Sequence, residues 1–225
     1  MVKMMGKNIL GIYGAGGLGR EVFELAKTIN ENKKTWDGFL FIDDGTTASE
    51  VNGLKVLKYE EAKTAYGPAL EVTVGIGEPL VRKKLFGKLK KDGIHMPALI
   101  HPNVRMAETT TVGNGVTVQS GCFISCNITI EDYVYLQSMC NIGHDTILYE
   151  GCMVSTFCNI AGSVKIGRFT YVGMSAAIKE NVTVGDNSII GMGSIVYKDI
   201  PDGMTVLGNP ARPVVRNTDG KVFKH

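Results

Sequence analysis

Residues 160–196 read IAGSVK IGRFTY VGMSAA IKENVT VGDNSI IGMGSI V, and each block of six opens on Ile or Val. The period runs back without a slip through Val154, Leu148, Ile142, Leu136, Ile130, Ile124, Val118, Val112 and Met106 to Ile100. Four places after each aliphatic residue comes a small or β-branched one, as in Val104, Thr110, Val116, Cys122, Ile128, Val134 and Cys140. No helical face recurs every six residues, and plain strand alternation would not single out one residue in six. Such a period predicts a hexapeptide parallel β-helix, in which each hexad forms one flat side and its first and fifth residues turn inward. Three sides return the chain to its start, and stacked coils share a core that no single coil could bury. Seventeen hexads make nearly six coils of eighteen residues; at an inter-strand spacing of about 4.8 Å the prism is about 27 Å long.

The period divides the 225 residues into a domain over 1–98, the helix over 99–200 and a tail over 201–225. A formal net charge of +2 and a pI near 8.2, with no basic stripe or aromatic platform, argue against a nucleic-acid partner. No stretch of eighteen apolar residues predicts a membrane span. The N-terminus has no small-residue cleavage site, so a cytoplasmic protein is expected. The five cysteines form neither a disulfide framework nor a zinc knuckle. Cys122, Cys140, Cys152 and Cys158 all take the inward small place of a hexad, and three of them lie eighteen apart. They read as a ladder of core thiols. Cys126 takes an outward place and is the one expected to be reachable.

The first domain follows another pattern. Residues 8–13 predict a short buried strand, followed at once by Gly14-Ala15-Gly16-Gly17-Leu18-Gly19. Val22, Leu25, Ala26 and Ile29 then recur at helical spacing. In this setting a G-x-G-x-x-G pattern brings the backbone up to a phosphate at a helix N-terminus. A strand over 39–42 ends in Asp43-Asp44, where a carboxylate can hold ribose hydroxyls. A strand over 72–74 leads to Gly75-Ile76-Gly77, and residues 79–91 read as a helix stopped near Gly93. The result is a small Rossmann-like α/β domain with parallel strands. A dinucleotide fold needs two mononucleotide halves, and this length holds about one and a half. The glycine loop is therefore read as a nucleotide-sugar site, with pure helix packing or a nicotinamide site as alternatives.

Hexads such as Val112-Gly113, Ile142-Gly143, Ile166-Gly167, Val172-Gly173, Val184-Gly185 and Ile190-Gly191 resemble those of left-handed β-helix acyltransferases. Gly14-Ala15-Gly16-Gly17, Phe41-Ile42-Asp43-Asp44, Gly77 with Arg82, Ile100-His101-Pro102, Gly143-His144-Asp145 and Gly208-Asn209-Pro210-Ala211 extend the resemblance along nearly the whole chain. It is to the bacterial sugar acetyltransferases that include sialic-acid O-acetyltransferases and the N-acetyltransferases of UDP- or GDP-linked 4-amino-6-deoxy sugars. The left hand of the helix follows from this resemblance alone, since parallel crossovers are normally right-handed. The resemblance also implies a homotrimer, acetyl-CoA as co-substrate between neighbouring prisms, no metal, and a role in cell-surface polysaccharide biosynthesis. By the same resemblance Gly16, Gly17, Leu18, Asp43, Asp44 and Gly77 bind the nucleotide sugar, while Met153, Gly162, Met174 and Met192 touch acetyl-CoA. Leu18 and Met153 stand where relatives carry histidines.

Of the four histidines, His225 ends the chain, His95 and His101 flank the domain junction, and His144 lies within the repeats with Asp145 after it. His144 takes the third, outward place of its hexad and by itself reads as a solvated side chain. The resemblance makes it the catalytic base and Asp145 its acidic partner. Acyl transfer from a thioester to a sugar amine or hydroxyl needs a base, and imidazole titrates in the right range. An adjacent carboxylate fixes its tautomer and raises its basicity, and backbone N–H groups of stacked coils can hold the oxyanion. No serine or cysteine has an evident base beside it, which predicts direct transfer without an acyl-enzyme. N-acetylation of a nucleotide-linked amino sugar is the leading reading. Sialic-acid or other sugar O-acetylation, and a non-catalytic nucleotide-sugar-binding trimer, are the alternatives. A γ-type carbonic anhydrase would need three histidines. Lys165, Arg168, Lys179, Lys198 and Arg212 read either as partners for the CoA phosphates or as a solvated face.

Overall fold

The computed structural model describes residues 8–223, so the start of the sequence and His225 lie outside the described residues. The chain forms two compact units, one ending at Gly77 and resuming over Lys84–Pro97, the other made of Glu78–Lys83 and the chain from Ala98 onward.

The first unit is built in chain order from β1 (Ile9–Tyr13), α1 (Gly17–Lys33), β2 (Gly38–Ile42), β3 (Glu50–Val51), β4 (Leu54–Leu57), α2 (Tyr59–Tyr66) and β5 (Leu70–Val74), before α3 (Pro79–Lys91). The sheet order is β3-β4-β2-β1-β5, parallel throughout except for the β3–β4 hairpin. All five residues of β1 are buried, as the central strand of a parallel sheet requires. With β2 on one side of β1 and β5 on the other, the strand order reverses at the point where the glycine loop leaves β1. Open α/β sheets bind ligands in that crevice, beyond the carboxyl ends of the strands.

The second unit is the parallel β-helix expected from the period. Its strands are two residues long and stack into three faces. The first face runs from Leu99–Ile100 to Ile189–Ile190, the second from Arg105–Met106 to Ile195–Val196, and the third from Thr111–Val112 to Thr183–Val184. From Val116 to Val196 the first and fifth residues of every hexad are buried, whereas Ile100, Val104, Met106 and Val112 at the end of the stack are half-buried. Residues after 200 do not form a separate tail. Met204–Leu207 adds to the first face beside Ile189–Ile190, and Arg212–Arg216 pairs antiparallel with it.

The corners follow a rule of their own. From Gly115 to Gly193 the fourth residue of every hexad has a left-handed backbone, and ten of these corner residues, Tyr133, Met139, Phe157 and Phe169 among them, are not glycine. A left-handed φ costs a residue with a Cβ roughly 1–2 kcal/mol. Burying one aliphatic side chain stabilises by roughly 1.5–3 kcal/mol. Each hexad buries two inward residues, so the period outweighs the preference of the corner residue. Glycine in the second place has a separate reason. Asp132, Asp186 and Asp202 accept the N–H groups of Asn114, Arg168 and Asp186 one coil below, at 2.7, 2.7 and 2.8 Å. A Cβ on Gly113, Gly167 or Gly185 would collide with these carboxylates.

The thiols obey the inward rule. Cys122, Cys140, Cys152 and Cys158 are buried and Cys126 is exposed. Burial drives the Cys152 thiol up, with Glu131 adding to it and Arg82 opposing. In the ladder the Cys122 contact lowers Cys140, but Cys158 and burial outweigh it and push Cys140 up to about 12, while the Cys140 contact holds Cys158 below the usual thiol range. Thiolate is the reactive form. Access, not acidity, separates the five: a thiol reagent is expected to modify the exposed Cys126 quickly in native buffer and the four buried cysteines only on unfolding. Mass spectrometry that finds Cys122 or Cys140 labelled as fast as Cys126 would contradict this register.

Candidate active site

His144 and Asp145 sit at the corner between the second and third faces of the prism. His144 Nδ1 lies 2.7 Å from Asp145 Oδ2, and both side chains are more than half exposed. Asp145 takes the left-handed corner place with φ 59°. That turn swings its carboxylate back alongside the preceding imidazole, a geometry that Asp and Asn tolerate better than other residues with a Cβ. The His144 ring and the Asn127 amide, which donates to Asp145 Oδ1 at 3.1 Å, hold the Asp145 carboxyl below its usual range. Asp145 therefore stays ionised at neutral pH and can only accept from the ring nitrogen that faces it.

Gly162 stands one coil above His144. A Cβ there would lie 2.6 Å from both Cε1 and Nε2 of the imidazole. The ring thus lies against the open face of the glycine, with its Cε1–Nε2 edge toward it. Gly162, expected at acetyl-CoA, is in this chain also the backbone that the His144 ring lies against.

Met174 and Met192 project from the next corner, between the first and second faces, with fractional exposures of 46% and 71%. With Leu207, Val215 and Phe223 they line an apolar groove of about 610 Å³ on the first face. Arg216 and Lys221 are its basic residues, not the five lysines and arginines singled out in the sequence. Among those, Arg168 pairs loosely with Asp186 at 3.9 Å and lies over the Tyr149 ring. Met153 departs from expectation: it is only 2% exposed, so it cannot line a surface groove. Its first-face neighbour Tyr135 is also covered, and the Arg82 guanidinium lies over that ring while donating to the Tyr133 carbonyl at 2.8 Å. Complete burial pushes the Arg82 side chain down to about 10. The segment Glu78–Lys83, remote in sequence, belongs to the prism.

In the first unit the glycine motif divides by role. A Cβ on Gly19 would lie 1.8 Å from the Gly14 carbonyl, and one on Gly75 would lie 2.6 Å from Gly19 Cα, so these glycines let α1 pack on the strand ends. Gly16 and Gly17 are exposed, a Cβ on Gly16 would meet nothing within 4 Å, and α1 begins there without a side-chain cap or an acidic first turn. Unfilled N–H groups at such a helix start suit an anion. Leu18 is half-buried beside them, and Gly77 lies past the end of β5. The two aspartates are already engaged within the chain. Asp43 Oδ2 accepts from the Ala15 N–H at 3.0 Å, tying the glycine loop to the end of β2, while its Oδ1 accepts from Gly45 and Thr46. Asp44 accepts from the Tyr13 hydroxyl and from the Tyr59 N–H at 2.9 Å. Burial works to raise the Asp44 carboxyl, but these donors with Lys88 and Lys58 hold it below its usual range.

Residues 9–89 match the family described as the PglD N-terminal domain, and residues 163–198 match the bacterial transferase hexapeptide family. The chain is 30% identical to the acetyltransferase domain of PglB from Neisseria gonorrhoeae, solved with acetyl coenzyme A, over 93% of this chain and 100% of that one, with a TM-score of 0.86. It is 25% identical to PerB from Caulobacter crescentus, solved with CoA and GDP-perosamine, over 94% and 98% of the two chains, with a TM-score of 0.84. A GDP-perosamine N-acetyltransferase from Escherichia coli is 29% identical over 124 residues, a match that spans 55% of this chain and 56% of that protein. The two-unit architecture, the corner histidine and these matches agree, and the chain belongs to the hexapeptide-repeat sugar acetyltransferases that carry a PglD-type N-terminal domain.

Proposed function

We propose that this protein transfers the acetyl group of acetyl-CoA to the amine of a nucleotide-linked amino sugar, such as a UDP- or GDP-linked 4-amino-4,6-dideoxy sugar. The observation that carries the reading is the imidazole of His144, fixed by Asp145 at 2.7 Å and exposed to solvent. His144 Nε2 takes a proton from the sugar nitrogen as that nitrogen forms its bond to the thioester carbonyl carbon. The carbonyl π electrons move onto oxygen and return as the carbon–sulfur bond breaks, and the imidazolium can then protonate the departing thiolate. The Gly162 N–H, which donates to no group among the described residues, is the candidate to hold the oxyanion one coil above the base.

One chain keeps its base and its apolar groove on opposite edges of the second face. A complete site therefore needs two copies, and Met139, Phe157, Met174 and Met192, each 46–71% exposed along one corner, form the apolar strip that a homotrimer would cover. The open Gly16-Gly17 turn is the place for the phosphates of the sugar nucleotide. This favours a nucleotide-linked acceptor over free sialic acid. Both substrates are compounds of the cytoplasm, where we place the protein. The test is release of free thiol from acetyl-CoA in the presence of UDP- or GDP-linked 4-amino sugars, or of sialic acid. We expect turnover with a nucleotide-linked amine. Turnover with sialic acid alone would replace the acceptor in this reading, and no thiol release with any acceptor would leave a binding trimer in its place.

A further inference from the structure

The Asp145 carboxylate is itself held in place. Asn127 stands eighteen residues earlier at the same place in its hexad, and its Nδ2 donates to Asp145 Oδ1 at 3.1 Å while Oδ2 faces His144. The Asn127 N–H in turn donates at 2.9 Å to the hydroxyl of Thr109, another eighteen residues back. Three side chains thus climb one corner of the prism toward the base, one per coil. Asn127 and Asp145 share the left-handed backbone, with φ 56° and 59°. An ionised carboxylate only accepts, and two neighbouring donors fix which oxygen serves which partner. With Oδ1 committed to the amide, Oδ2 is presented to the ring.

We propose that Asn127 is a positioning residue for acyl transfer: its amide orients the Asp145 carboxylate so that His144 carries its proton on Nδ1 and keeps Nε2 as the acceptor. This rests on His144 being the base. The amide does not touch the reacting atoms and acts through Asp145.

Two full-chain variants test it. Asn127→Gly keeps a residue at ease in the left-handed corner and deletes the amide. We expect its melting temperature and its KM for acetyl-CoA to stay near wild type while kcat falls about tenfold, since displacing a catalytic group by about 1 Å costs up to about 10²-fold. Asn127→Asp keeps size and corner but sets an acceptor against an acceptor. The added negative charge favours the imidazolium, so the acid limb of kcat/KM should move to higher pH by roughly half a pH unit. The His144 ring proton, assigned by its loss in His144→Gln, should titrate higher by the same amount in the NMR spectrum. Wild-type kcat in Asn127→Gly, or an unmoved His144 titration in Asn127→Asp, would overturn the proposal. If Asn127→Gly melts early, the titration in Asn127→Asp decides. That titration needs no turnover, so it judges Asn127 separately from the base. Near-normal kcat in His144→Ala would sink the base reading instead.

Discussion

Replacing His144 by alanine is expected to lower kcat by about 10²–10⁴, the usual worth of a positioned general base. The same substitution should leave the fold alone. The side chain is 59% exposed and lies outside the buried first and fifth places, so stability should change by no more than about 0.5 kcal/mol. Affinity for acetyl-CoA and the nucleotide sugar should persist, because the apolar groove and the open glycine turn draw on other residues. In the wild type the rate should rise with pH on the acid side, because a general base works only in its unprotonated form. Light scattering should report a trimer for wild type and variant alike, and a stable wild-type monomer would remove the shared site. A His144→Ala protein with near-normal kcat on its acceptor would reduce the histidine to a solvated side chain.

The inward half of each hexad was legible in the sequence because burial selects residue type. Val118, Ile124, Cys140 and Cys158 could be placed by spacing alone. The corner half was not. Tyr133, Met139, Phe157 and Phe169 adopt a backbone that their own preferences oppose, and only the closed coil imposes it. The burial of Met153 was equally hidden, because it depends on a neighbourhood that includes Arg82, about seventy positions away in the chain. The glycine loop was read as one motif, whereas contact geometry splits it into the packing glycines Gly14 and Gly19 and the open Gly16 and Gly17. Some signals were present and unused. Asn52-Gly53, both with positive φ, is the usual two-residue turn of a hairpin, and it joins β3 to β4. Asn127 could have been found by stepping back one coil from Asp145, once the corner is seen to stack like the core.

Two glycines near the His144 corner should respond to alanine in opposite ways. In Gly162→Ala the new Cβ would lie 2.6 Å from Cε1 and Nε2 of His144, too close to coexist with the ring as placed. The ring belongs to an exposed side chain that can swing away, so the strain is relieved cheaply and the melting temperature should hardly move. Relief moves Nε2 by about 1 Å from the position in which it would take the proton, and a misplacement of that size can cost about 10²-fold in rate. The methyl group would also crowd the N–H offered to the oxyanion. We therefore expect kcat to fall by roughly 10²-fold in a folded protein. Gly143 sits on the same coil as His144, but there a Cβ would meet the Ala161 carbonyl carbon and the Gly162 nitrogen at 2.5 Å, both backbone atoms of the next coil. Backbone held by the coil ladder cannot step aside, so Gly143→Ala should lower the melting temperature. It should lower activity only as far as folded protein is lost. Kinetics set beside thermal melts of the two variants separate the cases. A Gly162→Ala enzyme with wild-type kcat would mean that His144 does its work from a position other than the one it holds against Gly162.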